Sequence, residues 1–161
     1  PAAAAGIFGA PAPDAAPAIF GAPVPGPADT SVEGLIALVR GGTDAQKERA
    51  ASALLSLARS NADNQVAIAR AGGIDPLVAL VRGGTDAQKE KAAGALWNLA
   101  ANNADNQVAI ARAGGIDPLV ALARGGTDDQ KDYAARALRN LARNHDDNQV
   151  AIAHAGGHGL F

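Results

Sequence analysis

Cysteine is absent from the 161 residues, which excludes disulfides, thiolate metal sites and a cysteine nucleophile. Methionine is absent too, even at position 1. That predicts a processed, trimmed or fragmentary chain, from which a targeting peptide could have been removed. An intracellular, cytoplasmic setting is the default expectation, with organellar import left open. Aromatic residues make up only 3% of the chain, too few for strands that favour aromatic and β-branched side chains. No uncharged apolar run approaches the roughly 20 residues of a membrane helix. Net charge is −2, so bulk charge points neither to nucleic acid nor to an anionic membrane. No Ser/His/Asp set, phosphate loop or paired-carboxylate site is legible, and no enzyme is expected. His154 and His158 are four apart, but Gly156 and Gly157 break the helix between them. They read as surface histidines, and neither a metal nor a cofactor is expected.

What is present falls into two regions. Residues 1–31 form an arm rich in Pro, Ala and Gly, expected to be extended because Pro lacks an N–H and resists helix interiors. Within it Ile7-Phe8-Gly9-Ala10-Pro11 recurs as Ile19-Phe20-Gly21-Ala22-Pro23. Ile7, Phe8, Ile19 and Phe20 are candidate anchors on a stiff segment that loses little entropy on docking. They are expected to bury against another chain, although a plain linker reads as well.

Residues 32–161 repeat themselves. Gly41, Gly83 and Gly125 each open Gly-Gly-Thr-Asp, and Asn64, Asn106 and Asn148 each open Asn-Gln-Val-Ala-Ile-Ala, at a spacing of 42 residues. That period belongs to helical repeats. Each repeat divides into three helices. Asp105 is a candidate N-cap for a short first helix ending at Gly114-Gly115. Asp75 and Asp117 are candidate caps for a second helix with Pro76 or Pro118 at its first position, running Leu77 to Arg82. Thr43–Gln46, Thr85–Gln88 and Thr127–Gln130 read as capping boxes opening a long third helix. The expected layout is a partial repeat over 32–60, full repeats over 61–102 and 103–144, and a truncated one over 145–161.

The strings Asn106-Gln107-Val108-Ala109-Ile110, Ala113-Gly114-Gly115-Ile116, Pro118-Leu119-Val120 and Ala92 to Ala100 resemble the armadillo repeat family over about residues 32–157. The resemblance implies an all-α, right-handed superhelical solenoid whose third helices line a concave groove. It also implies an extended peptide in that groove, clamped by an asparagine ladder that Asn98 and Asn140 match. Ser56 departs from the ladder, so the first repeat would grip weakly. Nuclear-import members carry Trp four residues before the Asn. Here Ser52, Gly94 and Arg136 stand there, and the resemblance does not extend to nuclear localisation signals.

Comparing the repeats with one another locates the functional face. In the third helix Arg49/Lys91/Tyr133, Ser52/Gly94/Arg136, Leu55/Trp97/Arg139 and Arg59/Ala101/Arg143 vary. Ala50, Ala51, Ala53, Leu54, Leu57 and Ala58 recur unchanged between them. At about 100° per residue the two sets fall on opposite faces. The fixed one is the expected core, since repeated packing requires repeated side chains. The varying face carries Arg49, Arg59, Lys91, Arg136, Arg139 and Arg143, with Trp97 and Tyr133 among them and Glu48, Glu90 and Asp132 at its margin. With Ser56, Asn98 and Asn140 these are the candidate binding residues. Their chemistry predicts a protein partner with an extended acidic or phosphorylated segment. Three readings stay open for individual residues: solvation for the cations, a satellite core for Trp97, and bonds to neighbouring helices for the two asparagines. For the whole chain, the alternatives are a structural subunit of a large assembly tethered by its arm and, less favoured, nucleic-acid binding.

Overall fold

A computed structural model describes residues 30–160. The candidate anchors Ile7, Phe8, Ile19 and Phe20 lie outside the described residues. Nine helices and no strand are present among the described residues. They are α1 (Val32–Gly41), α2 (Asp44–Ser60), α3 (Ala62–Arg70), α4 (Ile74–Gly83), α5 (Asp86–Ala100), α6 (Ala104–Arg112), α7 (Ile116–Gly125), α8 (Asp128–Ala142) and α9 (Asp146–His154). First, second and third helices recur in that order through a superhelical solenoid. The third helices α2, α5 and α8 stack on one another far more extensively than the second helices do, so they form the inner layer of the curve.

The third helices start where the sequence places them. Thr43, Thr85 and Thr127 each accept a hydrogen bond from the backbone N–H three residues on, and the side-chain oxygens of Gln46, Gln88 and Gln130 accept one from the cap N–H. Each cap is worth about 1 kcal/mol. Gln88 and Gln130 also donate to the Asp44 and Asp86 carbonyls of the preceding repeat, at 3.1 and 2.8 Å, tying the register of one third helix to the last.

Two expected starts are corrected. The second helices begin at Ile74 and Ile116, so Asp75 and Asp117 lie inside the first turn and cap nothing. The cause is the preceding glycine pair: Gly72 and Gly114 take φ +79° and +77°, turning the chain so that helical geometry resumes at once. The acids still sit favourably at the positive end of the helix dipole. Asp105 is likewise not a cap. Asn103 occupies that place, and its side chain accepts from the Asn106 N–H at 3.0 Å.

The unchanged face is the core. Leu54, Leu96 and Leu138 occupy equivalent positions and are completely buried, and the equivalent Ala50, Ala92 and Ala134 are buried with them. Alanine at these contacts lets helix axes approach closely, which is how a chain poor in large side chains packs densely. Neighbouring repeats are further joined on the outer side. Arg40, Arg82 and Arg124, each in the last turn of a second helix, donate to the carbonyls of Gly72, Gly114 and Gly156.

Candidate functional site

The varying positions lie along the inner layer. Arg49, Ser56 and Arg59 on α2 are exposed, as are Arg136, Arg139 and Arg143 at α8. Lys91 and Trp97 on α5 are half-buried, as are Tyr133 and Asn140 on α8, while Asn98 is only 6% exposed. The gradient has a simple cause: α5 is sandwiched between α2 and α8, whereas α2 and α8 have one neighbouring third helix each.

The two asparagines reach backwards. Asn98 donates its amide to the Leu55 carbonyl at 3.0 Å, and Asn140 donates to the Trp97 carbonyl at 3.1 Å. Each therefore ties its helix to the previous third helix. An amide has two N–H donors and a carbonyl acceptor, so one such bond does not exhaust its hydrogen-bonding capacity.

The cations divide into two kinds. Lys91 Nζ lies 2.8 Å from Glu90, and this hydrogen bond raises its pKa above the ordinary lysine value despite opposing desolvation. Arg136 Nε lies 2.8 Å from Asp132 one turn earlier, and its guanidinium sits 5.0 Å over the Trp97 ring. Arg49, Arg59, Arg139 and Arg143 make no ion pair among the described residues.

The aromatic residues meet across helices. The Trp97 and Tyr133 rings are 5.9 Å apart and tilted by 40°, a favourable arrangement for ring quadrupoles. Two members of this cluster were outside the sequence-derived set. Gly94 has no side chain to separate its neighbours: a Cβ there would stand 2.5 Å from Leu55 Cδ1 and 3.4 Å from Tyr133 Cδ1. Leu55 thus fills the notch over Gly94, on the side where Tyr133 also approaches. Both residues belong to varying rows, which was a signal for them. Selecting by charge and aromaticity passed them over.

Other concavities lie elsewhere. Clefts of about 510 and 530 Å³ sit at the turns between second and third helices, lined by residues such as Arg82, Lys89 and Asp117 or Arg40, Lys47 and Pro76. Neither includes a varying groove residue. Among the described residues no group of three or more His, Asp or Glu side chains could hold a metal, and no helix is long and apolar enough to cross a membrane.

The fold is shared with known proteins. The model of the armadillo/beta-catenin-like repeat matches residues 61–101 and 103–143. No curated protein matches the chain. Among solved structures, an engineered protein is 34% identical, with 80% of this chain and 52% of that one covered and a TM-score of 0.75. A designed armadillo repeat protein is 22% identical over 80% of this chain and 54% of its own, with a TM-score of 0.74. An armadillo-repeats-only protein from Plasmodium falciparum is 19% identical over 80% and 60%, also with a TM-score of 0.74. The chain spans about half the length of the first two of these structures.

Proposed function

The chain belongs to the armadillo/beta-catenin-like repeat family, and from that premise we propose that it is a non-catalytic protein-interaction module holding an extended acidic segment of a partner along α2, α5 and α8. One observation carries the reading. Repeats that are otherwise near copies differ from each other along one inner face, and that face bears six cations and two aromatic rings. Variation concentrated on a face that is not core is what recognition of a non-repeating ligand requires. Arg and Trp are the side chains that most often dominate such interfaces. The bonds of Asn98 and Asn140 to neighbouring carbonyls leave capacity for a bound backbone.

The designed armadillo repeat protein above was solved with the peptide (KR)4. The cations of the present groove argue for the opposite preference, since like charges across an interface repel. Isothermal titration with a ten-residue Glu-rich peptide and a Lys/Arg peptide of equal length tests this. The acidic peptide is expected to bind, the basic one not, and R139E together with R143E to abolish binding at unchanged far-UV helicity. Equal binding by that double variant would overturn the basic-groove reading.

A further inference from the structure

The distribution of unpaired charge divides the groove more sharply than its net charge does. Arg136 is engaged on two sides, by the Asp132 carboxylate at 2.8 Å and by the Trp97 ring at 5.0 Å. Lys91 is engaged by Glu90. The middle of the groove is therefore close to electrically neutral, and what it offers is surface: Leu55, Trp97 and Tyr133, one from each third helix, with Gly94 buried beneath Leu55 and Tyr133. Leu55, Trp97 and Tyr133 are each half-buried and pack on the core, so this floor is fixed from beneath while its upper side stays accessible. Arg139 and Arg143 lie three and seven residues beyond Arg136, at the end of α8 and on the same side of it. Both are exposed, and neither has an acidic partner among the described residues.

We infer that the groove reads a two-part peptide motif: one large apolar side chain seated on Leu55, Trp97 and Tyr133, beside side-chain carboxylates held by Arg139 and Arg143. This rests on the groove reading above and specifies its ligand. Arg136 is in this arrangement a positioning residue. It holds the Trp97 ring in place through the stacked guanidinium, and Asp132, not the ligand, balances its charge. An apolar seat with two free cations on one side discriminates in a way neither half does. A purely acidic segment leaves the aromatic floor wet, and a purely apolar one leaves two arginines unused.

The test uses the full chain and three labelled peptides: acetyl-Glu-Glu-Phe-Glu-Glu-amide, the same with Ala for Phe, and the same with Gln for every Glu. Affinities are read by fluorescence anisotropy at low and at moderate salt. Loss of Phe or of the carboxylates is expected to weaken binding by ~10-fold or more, as hot-spot contacts do. The variant R139Q with R143Q should bind the Glu and Gln peptides equally and lose the salt dependence. The variant R136Q should weaken only the Phe-containing peptides, keep the salt dependence, and quench or shift Trp97 fluorescence in the free protein. Replacing the carboxylates by phosphoserine tests the competing anion: a phosphopeptide that binds and a Glu peptide that does not would refute the carboxylate assignment. If the Phe and Ala peptides bind equally well, the apolar seat is wrong while the acidic groove stands. If R136Q removes the salt dependence, Arg136 meets ligand charge and the division of roles is wrong. If no acidic peptide binds at all, the groove reading fails with it.

Discussion

Asn98 on α5 donates its side-chain amide to the main-chain carbonyl of Leu55 on α2, at 3.0 Å, across the boundary between two repeats. Asn140 repeats the contact one repeat later, to Trp97. A residue type expected to clamp a ligand is thus also a rivet between third helices, and the two roles separate in their energetics. The Leu55 carbonyl lies inside α2, so losing the Asn98 amide costs one hydrogen bond and some packing, not an orphaned backbone group.

Replacing Asn98 by Ala is therefore expected to lower stability by about 0.5–1.5 kcal/mol, the net worth of a typical hydrogen bond. Chemical denaturation measures that loss. If the asparagines also hold ligand backbone, Asn140→Ala should weaken peptide binding under conditions where both proteins are fully folded. Unchanged affinity would leave Asn140 with the structural role alone.

The core register makes a larger prediction. Leu96 is completely buried at the centre of the middle repeat, with Leu54 and Leu138 at the equivalent positions on either side. Leu96→Ala should cost about 2–5 kcal/mol, the transfer term plus the cavity left behind. Because α5 packs against both other third helices, little collapse is available to relieve the cavity. A loss under 0.5 kcal/mol would contradict the register.

Much of this architecture was legible because the chain carries its own comparison set. Period, capping boxes and the Ala/Leu face could be read from three internal copies, and Thr85, Gln88 and Leu96 stand where that reading put them. The second-helix start was misplaced by following Asp75 and Pro76, since local capping preference does not register that a left-handed Gly72 resumes the helix early. The pairing of Arg136 with Trp97 was not legible at all. It joins α8 to α5 across 39 residues, and only stacking of the helices brings those positions together. The acids at the margin of that face were legible, and the structure pairs two of them, Glu90 and Asp132, with Lys91 and Arg136.

Gly94 permits a sharper test of how the groove floor is built. An exposed helical Gly→Ala change stabilises by about 1 kcal/mol. Here the added Cβ would meet Leu55 Cδ1 at 2.5 Å, so Leu55 must move. Gly94→Ala should accordingly gain more in a Leu55→Ala background than beside Leu55, a coupling that a double-mutant cycle measures directly. Additive effects would mean that the two residues do not share the notch.

The last prediction concerns the Asn-Gln pairs, whose recurrence has a structural cause. The final carbonyls of a helix lack an i+4 N–H, and in a solenoid they are too deeply placed to meet bulk water. Asn106 supplies a donor to Leu99 at 3.0 Å and a second bond to the Gln65 carbonyl at 3.3 Å, while Gln107 donates to Ala100 at 2.8 Å. Asn64 and Asn148 do the same for Leu57 and Leu141, and Gln65 and Gln149 for Ala58 and Ala142. Asn106 is 3% exposed, so Asn106→Ala strands a buried carbonyl and should cost about 1–3 kcal/mol. Asn106→Asp should cost more, because a carboxylate cannot donate and would face the Leu99 oxygen at close range. Gln149 is exposed on α9, where water can replace its amide, so Gln149→Ala should cost well under 1 kcal/mol. Urea denaturation of the three variants ranks them, and the expected order is Asn106→Asp, Asn106→Ala, then Gln149→Ala. Equal losses at Asn106 and Gln149 would show that burial does not set the value of these bonds, and the account of why the Asn-Gln pair recurs would fall.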